Sequence, residues 1–243
     1  RLPLQFVGIL LLLCQLVFSL CNGLCATSAS FSYIIFFVVI GLIVCTGAMN
    51  VFNFMDGING ITGGYSLVVL TAILYTLNSH TMQAGESLAH WVSSLVTITL
   101  LADVVFCFFN FRPRAKCFAG DVGSVSIAFI ILFSLGFIIV QTRDLSLLSF
   151  LVVYGVDGCL TIIHRLMLHE KISLPHRKHL YQIMANELHV PHVAVSSLYM
   201  VVQLICCVWY VACPGYLTLL LQIAVLSVVY ILFMKRFFHL HQG

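Results

Sequence analysis

The sequence predicts an all-α, polytopic integral membrane protein with about eight transmembrane helices. Of its 243 residues, 61% are hydrophobic and only 8% are charged, whereas a soluble domain carries about a quarter charged residues. Apolar runs of about 18 or more residues recur along the whole chain, as membrane-spanning helices require. These runs lack the alternation of every second residue that a membrane barrel needs, so a β-barrel is excluded.

Eight apolar segments are about 20 residues long, which is enough to cross a hydrocarbon core of about 30 Å. The first segment has neither the charged start nor the small-residue cleavage site of a signal peptide. We expect one transmembrane domain over residues 1–243. The predicted spans are roughly 3–21, 31–49, 61–78, 88–109, 125–141, 146–163, 193–212 and 215–234.

The basic residues predict the orientation of these spans. With Arg1 in the cytoplasm, eight crossings return the C-terminus to the same side. Ten of the eleven Lys and Arg residues then lie on that side, and Arg143 alone lies on the other, as the positive-inside rule requires. Such a face suits anionic head groups or a phosphorylated substrate. A nucleic-acid partner is not expected, because no soluble basic domain is present.

The first of three polar loops on the predicted cytoplasmic face spans about residues 50–60. Asn53, Asp56 and Asn59 follow one another at three-residue intervals, so on a helical stretch they share a face. Several glycines nearby expose backbone N–H groups at the start of the next span, where a phosphate could approach. Helix packing through small residues is the alternative. These glycines are Gly57, Gly60, Gly63 and Gly64.

The second polar loop, about residues 110–124, ends in Gly-Asp-Val-Gly-Ser immediately before a span. Asp121 in this motif offers hard oxygen ligands, which suit Mg²⁺ bound together with substrate phosphates. A helix cap is the alternative role for this acid. Arg112, Arg114 and Lys116 could neutralise a pyrophosphate, or they could simply belong to a positive-inside loop.

The third polar loop, about residues 164–192, carries six of the ten histidines. His176 and His179 have a spacing that could chelate zinc, but no Cys pair or His-Glu-x-x-His motif accompanies them. Histidine seldom binds Mg²⁺, which prefers oxygen. Phosphate binding by His176, Arg177, Lys178 and His179 is therefore the favoured interpretation.

Two acids lie inside predicted spans. Asp103 precedes Asn110 by seven residues, and Asp157 precedes His164 by seven. Seven residues are two helical turns, about 10 Å, so each acid lies below its loop on roughly the same face. Ionisable residues in a membrane usually face a polar interior. They could line the floor of a site or pair with neighbouring spans, and a supporting role is favoured over direct chemistry.

At these motifs the chain resembles the polyprenyl-phosphate N-acetylhexosamine-1-phosphate transferases of glycosyltransferase family 4. The family pattern Asn-x-x-Asn-x-x-Asp-Gly-x-[Asp/Asn]-Gly is met by residues 50–60. Phe-Asn…Pro…Lys-x-Phe-x-Gly-Asp-x-Gly-Ser is met by residues 109–124, and the late basic histidine loop by residues 175–182. The His-Leu-Tyr-Gln ending resembles bacterial members that start the repeats of O-antigen, a part of lipopolysaccharide, or of exopolysaccharide in the cell envelope.

The resemblance implies attack of polyprenyl (undecaprenyl) phosphate on the β-phosphorus of a UDP-sugar, with UMP released, in the bacterial inner membrane. Asp56 and Asp121 would be catalytic, with Asp121 binding Mg²⁺, for which Mn²⁺ could substitute. A homodimer is compatible with this family. Substrate would be bound by residues of all three loops, namely Asn53, Asn59, Asn110, Lys116, Phe118, His176, Arg177 and His179.

The chain departs from the family pattern at its start. The family has an Asp-Asp pair on an early cytoplasmic loop, which is thought to deprotonate the lipid phosphate, and no Asp precedes Asp56 here. We therefore expect an N-terminally truncated member that lacks its first spans and does not catalyse transfer as it stands. The competing class is a non-enzymatic transporter, which would place its polar groups near mid-membrane rather than on the rim.

Overall fold

The computed structural model describes residues 2–23, 31–79, 86–170 and 177–237, and these residues form helices and connecting turns without any strand. The all-α prediction is confirmed. In chain order the elements are α1 (Leu2–Gly23), α2 (Phe31–Met55), α3 (Ile61–Ser79), α4 (Glu86–Asn110), α5 (Gly120–Thr142), a 3₁₀ helix (Leu145–Leu151), α6 (Val152–Met167), α7 (Leu180–Gln182), a π-helical turn (Ile183–Glu187), α8 (His192–Ala212) and α9 (Tyr216–Phe237).

Seven described segments are long and apolar enough to cross a membrane, which confirms a polytopic membrane protein. The first predicted span, 3–21, coincides with helix α1, where residues Phe6–Val17 form a shorter apolar stretch among the described side chains. The sixth predicted span begins in the 3₁₀ helix and continues through α6. The seven segments are Val38–Met55, Ile61–Ser79, Leu88–Asn110, Gly120–Thr142, Leu145–Met167, His192–Ala212 and Tyr216–Phe237.

Helix α3 lies at the centre of the bundle. It packs mainly between α4 and α8 and also contacts α5. Of its span, 72% is buried, compared with 17% of the span in α4. Since large apolar side chains on the outer helices, such as Leu101 and Leu217, are exposed, those helices present the faces that lipid would cover. The polar loop before α3 is therefore placed at the middle of one end of the bundle.

A cluster of three aromatic rings fixes the first turns of α3. Tyr65 stacks on Tyr154 of α6 with ring centroids 3.6 Å apart, and Phe52 of α2 contacts both rings edge-on. Such pairs add about 0.5–1.5 kcal/mol each beyond the burial of their surface. The Tyr154 hydroxyl also donates to the Ile61 carbonyl at 3.2 Å. The end of α2, the start of α3 and α6 are thus held in one register below the motif loops.

Candidate active site

Asp56 lies in the turn that joins α2 to α3. The Thr62 hydroxyl donates to Asp56 Oδ1 at 2.7 Å, and the backbone of Gly120, at the start of α5, also bonds this carboxylate. Burial raises the pKa of Asp56 to about 6, although both hydrogen bonds oppose the rise, and the nearby charge of Asp121 adds to it. The first polar loop therefore meets the second at this carboxylate.

Asp121 occupies the first turn of α5, where the helix dipole favours a negative charge. Asn53 of α2 bridges to this turn: its Nδ2 donates to Asp121 Oδ1 and to Ser124 Oγ, each at 3.0 Å. The N-cap position of α5 is Ala119, and no side chain caps it. Asp121 is therefore not the helix cap, and its exposed side chain lies at the rim of the bundle. We call the cluster Asn53, Asp56, Thr62, Asp121 and Ser124 the carboxylate junction.

Two buried asparagines form hydrogen bonds that connect the first and second polar loops. Asn59 Nδ2 donates to the carbonyls of Arg112 and Pro113, both at 3.1 Å. Asn110 accepts from the Gly60 backbone N–H at 2.7 Å and donates to the Cys117 carbonyl, also at 2.7 Å. Both residues thus shape the loops that flank the carboxylate junction. Their contact with substrate stays a prediction.

Phe118 and Lys116 lie on the outside of the second loop. The Phe118 side chain is 72% exposed, and Lys116 is also exposed, so both are accessible to a ligand. Arg112 is engaged within the loop, since its guanidinium bonds the Phe108 carbonyl and lies 5.1 Å from the centre of the Phe108 ring. A ligand-stacking role for Phe118 is compatible with this geometry and stays a prediction.

The glycines that begin α3 make room for side chains of other elements. A Cβ at Gly60 would come 2.5 Å from the Phe111 ring, and one at Gly64 would come 2.7 Å from the same ring. A Cβ at Gly63 would likewise come 2.5 Å from Cys107 Sγ. Gly60 also has φ +85°, which favours glycine. These contacts support packing, the alternative that the sequence left open, and phosphate approach over these glycines stays a prediction.

The third loop is anchored from below by Asp157. His179 is 2% exposed, and its Nδ1 lies 3.1 Å from Asp157 Oδ1. Two hydroxyls also donate to this carboxylate, from Thr161 at 3.1 Å and from Tyr199 at 2.5 Å. The backbone N–H of Leu180 donates to it at 3.3 Å. We call Asp157, Thr161, His179 and Tyr199 the aspartate anchor, and its geometry supports the structural role that the sequence suggested for Asp157.

Tyr181 connects the third loop to the first. Its hydroxyl donates to the Phe54 carbonyl at 2.7 Å, and its ring fills the space beside Gly57, where a Cβ would lie 2.3 Å from the hydroxyl oxygen. The Phe54 and His179 rings are 6.4 Å apart between centroids. All three polar loops thus meet at one end of the bundle, as the sequence predicted.

The remaining basic residues of the third loop divide into paired and exposed groups. Glu170 bonds both Arg165, at 3.2 Å, and Lys178, so this acid is a paired charge. Arg177 is exposed. His176 lies outside the described residues, and the binding of diphosphate by His176, Arg177 and His179 stays a prediction.

Asp103 is the second acid inside a span, and it differs from Asp157. It is 3% exposed, and neither carboxylate oxygen has a hydrogen-bond partner among the described residues. Pairing with a neighbouring described span, one of the two roles that the sequence left open, is therefore not observed. The other role, lining the floor of the site two turns below Asn110, stays a prediction.

Within the described part of the chain, no group of three or more His, Cys, Asp or Glu side chains could hold a metal ion. The zinc alternative for His176 and His179 stays untested, because His176 lies outside the described residues. The residues that sequence reasoning missed are mainly hydroxyls: Thr62 and Ser124 in the carboxylate junction, and Thr161 and Tyr199 in the aspartate anchor. Spacing would have signalled Thr62, Ser124 and Thr161, because each follows an acid within six residues.

Comparison with known proteins adds an independent line of evidence. The model of the family described as glycosyl transferase family 4 matches residues 1–140. A probable undecaprenyl-phosphate N-acetylglucosaminyl 1-phosphate transferase of Bacillus subtilis is 29% identical over 139 residues, 56% of this chain and 37% of that protein.

Two further relatives cover shorter parts of the chain. A phospho-N-acetylmuramoyl-pentapeptide-transferase of Petrotoga mobilis is 32% identical over 101 residues, 42% of this chain and 28% of that protein. An undecaprenyl-phosphate alpha-N-acetylglucosaminyl 1-phosphate transferase of Yersinia pestis is 35% identical over 92 residues, 37% of this chain and 24% of that protein. The matched part of the chain thus spans little more than a third of these relatives at most.

Proposed function

Because this chain belongs to glycosyl transferase family 4, we propose that it transfers a sugar-1-phosphate from a UDP-sugar to a polyprenyl phosphate and that its motif loops bind the donor. The observation that carries this proposal is the carboxylate junction. Asp56 and Asp121 come from motifs far apart in sequence, yet Asn53 and the start of α5 bring them to one rim of a membrane-spanning bundle. That rim is where a lipid acceptor and a water-soluble donor can meet.

The donor set of the junction fits Mg²⁺, with Mn²⁺ as the alternative ion. Mg²⁺ in phosphoryl-transfer sites uses one or two carboxylates together with substrate phosphates and water, and the junction offers two carboxylates close enough to interact. Asp121 is the proposed ligand because it is exposed, while Asp56 is partly buried. When bound, the ion would neutralise negative charge on the diphosphate as UMP leaves.

The chain's own residues would orient the reactants. Asn53 and Thr62 donate hydrogen bonds that hold the carboxylates of Asp121 and Asp56 in place. Preorganised groups of this kind stabilise charge without reorganising during the reaction. Lys116 and Arg114 are exposed on the adjoining loop and supply positive charge for the departing UMP.

The bond changes are those of phosphoryl transfer. An oxygen of the polyprenyl phosphate forms a bond to the β-phosphorus of the donor, and the bond from that phosphorus to the bridging oxygen breaks. UMP carries away the electron pair, and a polyprenyl-diphosphate sugar remains in the membrane. Substrate contacts from Asn59, Asn110, Phe118, Arg177 and His179 are part of the proposal.

An N-acetylhexosamine donor is the proposed substrate class. The Bacillus and Yersinia relatives are N-acetylglucosaminyl 1-phosphate transferases, and the Petrotoga relative is a phospho-N-acetylmuramoyl-pentapeptide-transferase. These groups share an N-acetylated hexose, which supports the class. The O-antigen pathway, the cytoplasmic side of the motif loops and a homodimer stay predictions from sequence.

A transporter is not favoured. The carboxylate junction and the loops that meet beside it lie at one end of the bundle, whereas a transporter would concentrate polar groups at mid-membrane. Asp157 lies deeper, but its carboxylate is occupied by the aspartate anchor.

The test is UMP release from a panel of UDP-N-acetylhexosamines, with undecaprenyl phosphate and Mg²⁺. The assay compares this chain with a version extended by whatever coding sequence precedes it. We expect the extended version to release UMP only when the lipid phosphate is present. We expect no release from this chain, because Asp56 and Asp121 already have binding roles and are not available to deprotonate the lipid phosphate. Release from neither version with any donor would contradict the proposed function, and equal turnover by both would contradict the expected inactivity.

A further inference from the structure

A cavity with both polar and apolar residues in its wall lies at the end of the bundle opposite the motif loops. Helices α3 and α5 begin at those loops and end at this cavity, with Ser79 and Thr142 in its wall. Its volume is about 290 Å³, which is at the lower limit of ligand pockets. The space therefore suits a small group rather than a nucleotide-sugar. None of its lining residues belongs to the carboxylate junction or the aspartate anchor.

The hydroxyl groups of the residues in the wall can bond a further partner mainly as acceptors. Thr76, Ser79 and Thr142 each donate to the carbonyl four residues earlier in their own helix, at 2.9, 2.7 and 2.9 Å. Tyr210 donates to Asp144 Oδ2 at 3.0 Å. Four of the five hydroxyl-bearing residues in the lining, Tyr75 being the fifth, have thus already committed their single proton. A ligand that supplies N–H donors fits this lining.

Asp144 adds a negative charge to the same wall. It lies between α5 and the 3₁₀ helix, and it accepts from the backbone N–H and the hydroxyl of Ser146 as well as from Tyr210. Burial opposes ionisation, but these hydrogen bonds outweigh it, so the pKa of Asp144 lies below its usual value. The neighbouring Arg143 is exposed and does not line the cavity.

Three helix ends reinforce this negative potential. Helices α3, α5 and α8 all point their C-termini towards the cavity, ending at Ser79, Thr142 and Ala212. The C-terminus of a helix carries a partial negative charge of about half an elementary charge and favours cations within its last turn. The N-termini of the 3₁₀ helix and α9, at Leu145 and Tyr216, lie at the same end, and Asp144 caps the first of them. The ionised carboxylate, the acceptor hydroxyls and the three C-termini together favour a positively charged ligand.

We propose that this cavity binds a primary ammonium group, supplied by the ethanolamine head group of a membrane lipid. A primary ammonium has three N–H donors for the acceptor lining, whereas the quaternary ammonium of choline has none. The cavity lies at the ends of membrane-spanning helices, which is the level of lipid head groups. Its rim includes exposed Tyr75 and Val211, against which the upper part of a lipid can rest.

The experiment is native mass spectrometry of the whole chain released from nanodiscs of phosphatidylglycerol. The discs contain equimolar phosphatidylethanolamine and phosphatidylcholine with identical acyl chains. We expect phosphatidylethanolamine to be retained about tenfold over phosphatidylcholine, a factor of the order that one charge-assisted hydrogen bond accounts for. Equal retention of the two lipids would overturn the proposal.

Two substitutions locate the binding group. Asp144→Asn keeps a side chain that can still accept from Ser146 but removes the charge, and it should abolish the tenfold preference. Thr142→Val removes one acceptor and should lower the preference by about fivefold, which keeps the test valid if Asp144→Asn fails to fold. Thr97→Val is the matched control, because Thr97 donates to the Ser93 carbonyl in the same way on an exposed face of α4. Unchanged preference in both cavity variants would place the lipid elsewhere and refute the site.

Competition with ethylammonium chloride tests whether the cavity recognises the ammonium group alone or the whole lipid head group. If it displaces phosphatidylethanolamine from the wild type, the cavity recognises the ammonium group itself. If it does not, while Asp144→Asn still loses the lipid, the whole head group is recognised. Either result supports the site. Displacement that is equally strong in Asp144→Asn would show that ethylammonium acts outside the cavity and would contradict it.

Discussion

The carboxylate junction and the aspartate anchor use the same residue types for different purposes. Each places an aspartate beside hydroxyl donors, and each joins segments distant in sequence. Asp121 of the junction is exposed at the start of a helix, whereas Asp157 of the anchor is 3% exposed and bonds one imidazole, two hydroxyls and one backbone N–H. Depth and the identity of the partners, rather than residue type, distinguish an acid that can meet a ligand from one that holds a loop.

The largest effect is expected when the aspartate anchor is removed. Asp157→Ala leaves the buried donors of Thr161 and Tyr199 without their acceptor and removes the partner of His179. The loss should lower the free energy of unfolding by about 3–5 kcal/mol, as for other buried partners removed singly. Chemical unfolding in detergent micelles measures it. Wild-type stability combined with lost UMP release would assign Asp157 to chemistry and erase the contrast with the carboxylate junction.

Removing the charge of Asp121, the exposed acid of the carboxylate junction, should lower turnover and leave folding unchanged. In an active, extended version of the protein, Asp121→Asn should lower UMP release by about 10²-fold or more, the loss expected for one key electrostatic group. Its unfolding should match the wild type, because the amide keeps an oxygen that can accept from Asn53. Asp144→Asn, the same change at the opposite end, is the control and should keep full turnover. Near-normal Mg²⁺-dependent release by Asp121→Asn would refute its assignment as the metal ligand.

A smaller effect is expected from the glycines beside the junction. Gly64→Ala puts a methyl group about 2.7 Å from the Phe111 ring and should cost about 1–3 kcal/mol of stability, as overpacking does. Adding Phe111→Leu should recover part of that loss. Thermal unfolding of the single and double variants measures both effects. If Gly64→Ala instead keeps its stability and loses donor affinity, the glycine serves the ligand and packing is secondary.

The smallest effect is expected from single cysteine substitutions, which test whether the polar loops lie on the same side of the membrane. A single cysteine at Lys116 or Lys178, in a background without the ten native cysteines, should leave folding nearly unchanged. An impermeant maleimide added outside whole cells should not label either position until the membrane is opened. A cysteine at Arg143, on the opposite end, should be labelled at once. Labelling of positions 116 or 178 from outside would overturn the predicted orientation.

Much of the site could be anticipated because motif spacing survives in a linear sequence. Asn53, Asp56 and Asp121 were all predicted site residues, and the structure gathers them. The hydrogen bonds that connect them could not be anticipated in the same way, since Asn53 and Asp121 are 68 residues apart. Asn59 and Asn110 connect the loops through backbone groups that lie far away in the sequence, the Arg112 and Pro113 carbonyls for Asn59 and the Gly60 N–H for Asn110. No local pattern predicts those partners.

The helical, membrane-spanning character of this protein and the shared end of its polar loops followed from the sequence alone. In a bilayer every backbone polar group must be satisfied within the segment, so an apolar run of sufficient length must be a helix, and consecutive crossings dictate which loops meet. Tertiary structure decided what each polar or small residue does at that end. Asp157 turned inward to hold His179, Asp121 stayed on the rim, and Gly60 and Gly64 received the Phe111 ring. Such choices depend on which helix faces pack together, and close packing between distant segments leaves no periodic signal in the chain.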